Sequence, residues 1–144
     1  LLFSKSWQIY NVSDFQNKKS ALQAQTLNQY LRCEDGKVTS ISIWQIKAKK
    51  NLSKLLLNEI EKMKKNKIVF DKAISLNNEK LYCSEFVAQL INKVDKTFKI
   101  KPIKKQLKGL FSRYFQKKYL EYYPVDIFQY NCKFTRIKKW DLNK

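Results

Sequence analysis

The chain has 144 residues and a formal net charge of +18, with 44% hydrophobic and 14% aromatic residues and only two Gly and two Pro. That is one domain's worth of chain with enough apolar content for a core. It excludes a disordered linker and a collagen-like repeat, and no apolar run approaches the roughly 20 residues that span a bilayer. There is no His, which excludes a self-contained Cys-His or Ser-His catalytic unit and a His-ligated zinc site.

Trp7 to Val12 (WQIYNV) is aromatic and β-branched and reads as a short strand. Ser13-Asp14 supplies helix-capping side chains, and Leu22, Leu27, Tyr30 and Leu31 predict a helical face beyond it. Glu34-Asp35-Gly36-Lys37 is a turn. Val38 to Lys47 reads as a strand with Ile41 and Ile43 on one face and Trp44 and Ile46 on the other, a two-sided apolar pattern that predicts a central strand. Asn51 to Lys67 predicts an amphipathic helix, with Leu52, Leu55, Leu56, Ile60 and Met63 inward and lysines outward.

Ile68 to Leu76 reads as extended, and Asn77-Asn78 as a turn. A second, buried helix is expected over Ser84 to Val94, through Phe86, Val87, Leu90, Ile91 and Val94. Lys99 to Lys118 reads as a basic loop with a helical piece around Leu110 to Tyr119. Tyr122-Tyr123-Pro124-Val125-Asp126 opens a short turn or helix, since Pro suits a first helical position. Lys133 to Trp140 closes the chain as a strand. Without repeat or linker, this predicts one α+β domain over residues 1–144.

The charge admits a nucleic-acid, anionic-lipid or acidic-polymer partner. Its makeup favours a blander reading. Only three of thirty basic residues are Arg, whereas readers of phosphate and base edges use the bidentate Arg fork freely. Lys, Asn, Ile, Phe and Tyr have A/T-rich codons, so a low-G+C genome accounts for a lysine-rich surface. An anionic partner is therefore open but not favoured. Tyr114, Phe115, Tyr119, Tyr122 and Tyr123 beside Lys117 and Lys118 have the makings of a base-stacking surface, but their spacing favours core or interface packing.

Cys33, Cys83 and Cys132 are odd in number and form no C-x-x-C pair, which argues against a structural zinc site and a fully paired disulfide framework. A single Cys33–Cys132 bridge stays open. No metal and no cofactor is expected. The chain starts at Leu1 without the layout of a signal peptide, and is expected to begin within a longer protein.

Chemistry concentrates in residues 70–87, F-D-K-A-I-S-L-N-N-E-K-L-Y-C-S-E-F-V. Cys83 stands where an extended segment and turn give way to a helix. Unpaired backbone N–H groups and the positive end of the helix dipole favour thiolate there, and the same N–H groups can stabilise an oxyanion. The blander alternative is a small buried thiol. Glu85 reads either as a first-turn carboxylate that favours the helix start or as a polar member of the site.

This stretch resembles the Cys motif of the permuted papain-like cysteine hydrolases, YiiX- and YaeF-like relatives of the NlpC/P60 hydrolases. Tyr82-Cys83-Ser84-Glu85 matches without a gap, Phe70-Asp71 fits the upstream part, and Pro124 and Asp126 fit a Pro-x-Asp element before a closing strand. The likeness spans about residues 38–140. It implies a small antiparallel sheet packed against helices, with Cys83 as nucleophile in amide or ester hydrolysis or acyl transfer. Glu85 enters the catalytic set as a motif position, and Tyr82 and Asp71 are candidate substrate contacts. The family's His precedes the Cys on an early strand. Trp7 to Val12 resembles the strand just after it, which would put the missing base upstream of Leu1. The resemblance also implies a bacterial envelope or secreted location. The alternative is a degenerate member that keeps the scaffold as a basic binding component without catalysis.

Overall fold

Two amphipathic helices occupy the centre of the molecule in the structure, a computed structural model that describes residues 2–3, 8–13, 20–31, 39–47, 51–76 and 78–141. In α2 (Leu52–Lys64), Leu52, Leu56 and Ile60 recur at four-residue spacing and are buried, while the lysines face out. In α3 (Cys83–Val94), Phe86, Leu90 and Ile91 form the matching stripe, and Ala88 is also buried. The two stripes share one core. Glu59, in the apolar row of α2, is held between Lys93 of α3 and Lys62. The Lys93 ammonium is the main reason its carboxyl lies below the usual carboxylate range.

A three-stranded antiparallel sheet of β1 (Leu2–Phe3), β2 (Gln8–Val12) and β3 (Leu22–Thr26), in that order, adds Tyr10, Val12 and Leu22 to this core. The strand expected near Trp7 to Val12 is β2. The helical face expected over Leu22 to Leu31 is corrected. Leu22 to Thr26 pairs with β2, Val12 opposite Leu22 and Gln8 opposite Thr26, and only α1 (Leu27–Leu31) is helical. Ladder hydrogen bonds to a distant strand override the local spacing, and a capping box fixes where the helix starts. Thr26 N–H donates to Gln29 Oε1 at 2.9 Å, and Gln29 N–H donates to Thr26 Oγ1 at 3.2 Å. Asp14, Cys33 and the turn at 34–37 lie outside the described residues.

β4 (Ser40–Ile46) is the expected strand but not a central one: it forms a two-stranded antiparallel ribbon with β9 (Phe134–Asp141), bulged between Ile43 and Trp44. No residue of β4 is fully buried. The Arg136 guanidinium lies 5.8 Å from the Trp44 ring centroid, and Lys138 Nζ 5.6 Å from that of Trp140. Long basic side chains thus shield the aromatic surface where the two-sided pattern predicts neighbouring strands.

The expected extended run 68–76 shrinks to β5 (Val69–Phe70), which pairs in parallel with β6 (Lys80–Leu81) across the turn that follows. Beyond α3, Asn92 closes the return of the chain. Its Nδ2 donates to the Ile100 carbonyl at 2.6 Å, and its Oδ1 accepts the Ile100 N–H at 2.9 Å. The basic segment is not a plain loop. β7 (Ile103–Gln106) and β8 (Tyr119–Tyr122) form an antiparallel hairpin whose tip is the short helix α4 (Gly109–Phe115). Pro124 then caps a 3-10 helix, Val125–Tyr130, that leads to β9. The architecture is mixed α+β, with small, mainly antiparallel sheets packed with helices.

Candidate active site

The turn that delivers the chain to Cys83 is organised by Asp71. This residue is 2% exposed. Its Oδ1 accepts the Ala73 N–H at 2.9 Å, and its Oδ2 accepts the Ser75 N–H at 2.6 Å and Asn78 Nδ2 at 3.1 Å. Asn78 Oδ1 in turn accepts the Lys80 N–H at 2.7 Å. Both carboxylate oxygens are thus spent on the loop's own backbone and side chains, an Asx-type arrangement that lets Asp and Asn build tight turns. The loop is tight enough to hold Ile74 at φ 48, a region that β-branched residues avoid.

α3 begins at the cysteine itself, with Tyr82 in extended backbone geometry at the cap position and no side-chain cap. The first helical bond runs from Phe86 N–H to the Tyr82 carbonyl at 2.9 Å. The N–H groups of Cys83, Ser84 and Glu85 therefore have no acceptor within the helix and point along its axis at the N-terminus. Cys83 is exposed, and its sulfur is a free thiol, as is that of Cys132, which is also exposed.

The residues on either side of Cys83 are buried and hold the same partner. Tyr82 Oη accepts the Tyr123 backbone N–H at 2.7 Å, and Ser84 Oγ donates to the Tyr123 carbonyl. This pair of hydrogen bonds to one residue seats the Tyr123-Pro124 segment against the start of α3 and fixes Cys83 between two anchored neighbours. Burial drives the phenol of Tyr82 well up from the usual range and raises that of Tyr123, so each stays a neutral hydrogen-bonding group.

Glu85 is 1% exposed, and its Oε1 accepts Gln89 Nε2 at 2.9 Å. Its Oε2 is buried without a hydrogen-bond partner among the described residues. Burial pushes this carboxyl up to about 7; the Tyr82 peptide N–H opposes the rise, the Asp71 carboxylate adds to it and Gln89 reduces it. Glu85 and Gln89, one turn apart, line a cleft of about 140 Å³ with Leu76, Pro102, Glu121 and Tyr123. Cys83 is not in that lining. Residues two apart on a helix lie about 200° around it, so the thiol and the Glu85 carboxyl face different sides of α3.

The structure therefore brings Tyr82, Cys83, Ser84 and Glu85 into one helical turn and joins them to Tyr123 and Pro124. It leaves Asp71 engaged in the preceding loop and Asp126 exposed on the 3-10 helix. Tyr123 and Gln89 are the participants that sequence reasoning missed. The signal for Tyr123 is weak, an aromatic before Pro124. For Gln89 it is only the i, i+4 spacing from Glu85. Among the described residues there is no cluster of three or more His, Cys, Asp or Glu able to hold a metal ion, and no helix long and apolar enough to cross a membrane. No family model matches the chain, and comparison with curated proteins and with solved structures finds no match.

Proposed function

We propose that the domain is of the permuted papain-like type and that Cys83 is the nucleophile of a thiol hydrolase or acyl transferase acting on an amide or ester bond. One observation carries this reading: a solvent-exposed free thiol stands at the first residue of a 12-residue helix packed into the core, with both neighbours anchored and three first-turn N–H groups that have no acceptor within the helix. In the reaction, the Cys83 sulfur attacks the carbonyl carbon. The first-turn N–H groups stabilise the resulting oxyanion. The C–N or C–O bond breaks, the leaving amine or alcohol takes a proton, and a Cys83 thioester remains for water or another acceptor. Glu85, facing the cleft on the other side of α3, acts in this reading on the shape of the helix start and not on the sulfur.

The 144 residues contain no His, so the thiol proton does not pass to an imidazole of this sequence. Acylation with an activated ester is expected to outpace deacylation, giving a stoichiometric burst with little turnover. The test is incubation with p-nitrophenyl acetate followed by peptide mapping. A burst with the acetyl group on Cys83, abolished in Cys83→Ala, supports the reading. Acetylation of Cys132 to the same extent, or no burst, overturns it in favour of a scaffold that keeps the helix start without the chemistry.

A further inference from the structure

The tip of the β7–α4–β8 hairpin carries apolar side chains outward, while Leu120 of β8 is buried. None of the seven residues of α4 is buried, and Leu110 is 80% exposed, Phe111 68% and Tyr114 76%. At helical spacing Leu110, Tyr114 and Phe111 fall on one arc. The tip is a defined structure. Gly109 enters at φ 57 and Gln116 leaves at φ 51, and the Leu107 N–H donates to the Lys118 carbonyl at 2.9 Å beneath them. Ser112 Oγ donates to the Lys117 carbonyl at 3.1 Å, and Lys117 Nζ ties the tip to Ser75 Oγ at 2.8 Å.

Around this patch the charge is mostly positive, the hairpin's one carboxylate, Glu121, standing opposite Lys104 near its base. Residues 96–120 contain no Asp or Glu, and Lys101, Lys104, Lys105, Lys108, Arg113 and Lys118 are all exposed. Lys104 and Lys118 lie 5.2 and 5.9 Å from the Tyr119 ring centroid. We propose that this hairpin is a docking element for an anionic lipid surface, with Leu110, Phe111 and Tyr114 entering the acyl boundary and the surrounding lysines meeting lipid headgroups. Apolar side chains flanked by cations and an interfacial tyrosine suit that environment. Two other occupants fit less well. Phe111 and Tyr114 offer rings to a nucleic acid, but Leu110, the most exposed of the three, has no base-stacking face and is suited to an acyl boundary, and a second copy would bring the same positive charge to the same place. The inference is independent of the chemistry at Cys83.

The test is co-sedimentation with phosphatidylcholine–phosphatidylserine vesicles at physiological salt, with phosphatidylcholine vesicles and a single-stranded oligonucleotide as parallel arms. Binding to the mixed vesicles alone is expected. Leu110→Ser with Phe111→Ser should weaken it by roughly tenfold or more, and Gln at Lys104, Lys105 and Lys108 by roughly a hundredfold. These side chains are exposed, so circular dichroism should be unchanged and loss of binding reads the surface itself. A protein that stays in the supernatant with mixed vesicles overturns the proposal. So does a serine variant that sediments like the parent, or tighter binding to the oligonucleotide than to the vesicles.

Discussion

The start of α3 and the β7–α4–β8 hairpin use similar residues in opposite ways. At α3, Phe86, Leu90 and Ile91 are sealed in the core, Tyr82 and Ser84 are anchored to Tyr123, and one thiol is left facing solvent. In the hairpin, Leu110, Phe111 and Tyr114 face solvent, while hydrogen bonds keep the tip in shape and tie it to Ser75. The first region leaves a single exposed thiol between two anchored neighbours, and the second presents a surface. The difference lies in whether a second layer of structure is available to cover the apolar face.

Substitution breaks this comparison most directly at Phe86 and Leu110. Phe86 is fully buried, so Phe86→Ala is expected to cost about 3–5 kcal/mol in a urea titration. Leu110→Ala should change stability by no more than about 0.5 kcal/mol. Equal losses would mean that the hairpin packs against something as α3 does.

Glu85 sharpens the contrast through pH. Its carboxyl rises from an ordinary 4.5 to about 7 in the folded protein. The native state therefore holds an extra proton across that window, so this contribution to stability is complete below about 4.5 and is lost as pH rises through about 7. Glu85→Gln has no such loss. It should match the parent in acid and exceed it on the alkaline side by up to about 3 kcal/mol, read from unfolding midpoints across pH. A parallel pair of curves would show that the carboxyl does not feel its burial.

Tyr82→Phe probes the anchor itself. It removes the acceptor of the Tyr123 N–H and should cost about 1–2 kcal/mol, with faster hydrogen exchange at the Tyr123 amide. Unchanged exchange there would detach Tyr123 from the account of the site.

The two regions also differ in how well the sequence announces them. α3 is legible because its apolar period and its burial coincide, and because Tyr82-Cys83-Ser84-Glu85 ends an extended segment where a helix begins. The hairpin is less so. Tyr114 and Tyr119 carry the spacing of core residues and yet are exposed, because periodicity records which side chains share a face and not whether anything covers it. The same limit misplaces β4, whose two-sided pattern is met by Arg136 over Trp44 and by packing of Ile46 against the core, instead of by further strands on both sides. Tyr123 reaches Tyr82 and Ser84 across 41 and 39 residues, and β3 forms by pairing with β2. Neither leaves a local trace. The absence of His narrows in meaning. It leaves an exposed thiol at a helix start, without an imidazole of this sequence to take its proton.

Cys83 and Cys132 are both exposed free thiols, so a comparison between them separates activation from access. The decisive measurement is the rate of iodoacetamide labelling at each, mapped by peptide mass spectrometry at neutral pH in the folded protein and again in denaturant. The account predicts labelling of Cys83 at least roughly tenfold faster in the folded protein, with the difference gone once α3 is unfolded. Equal rates in the folded state, or faster labelling of Cys132, would contradict it.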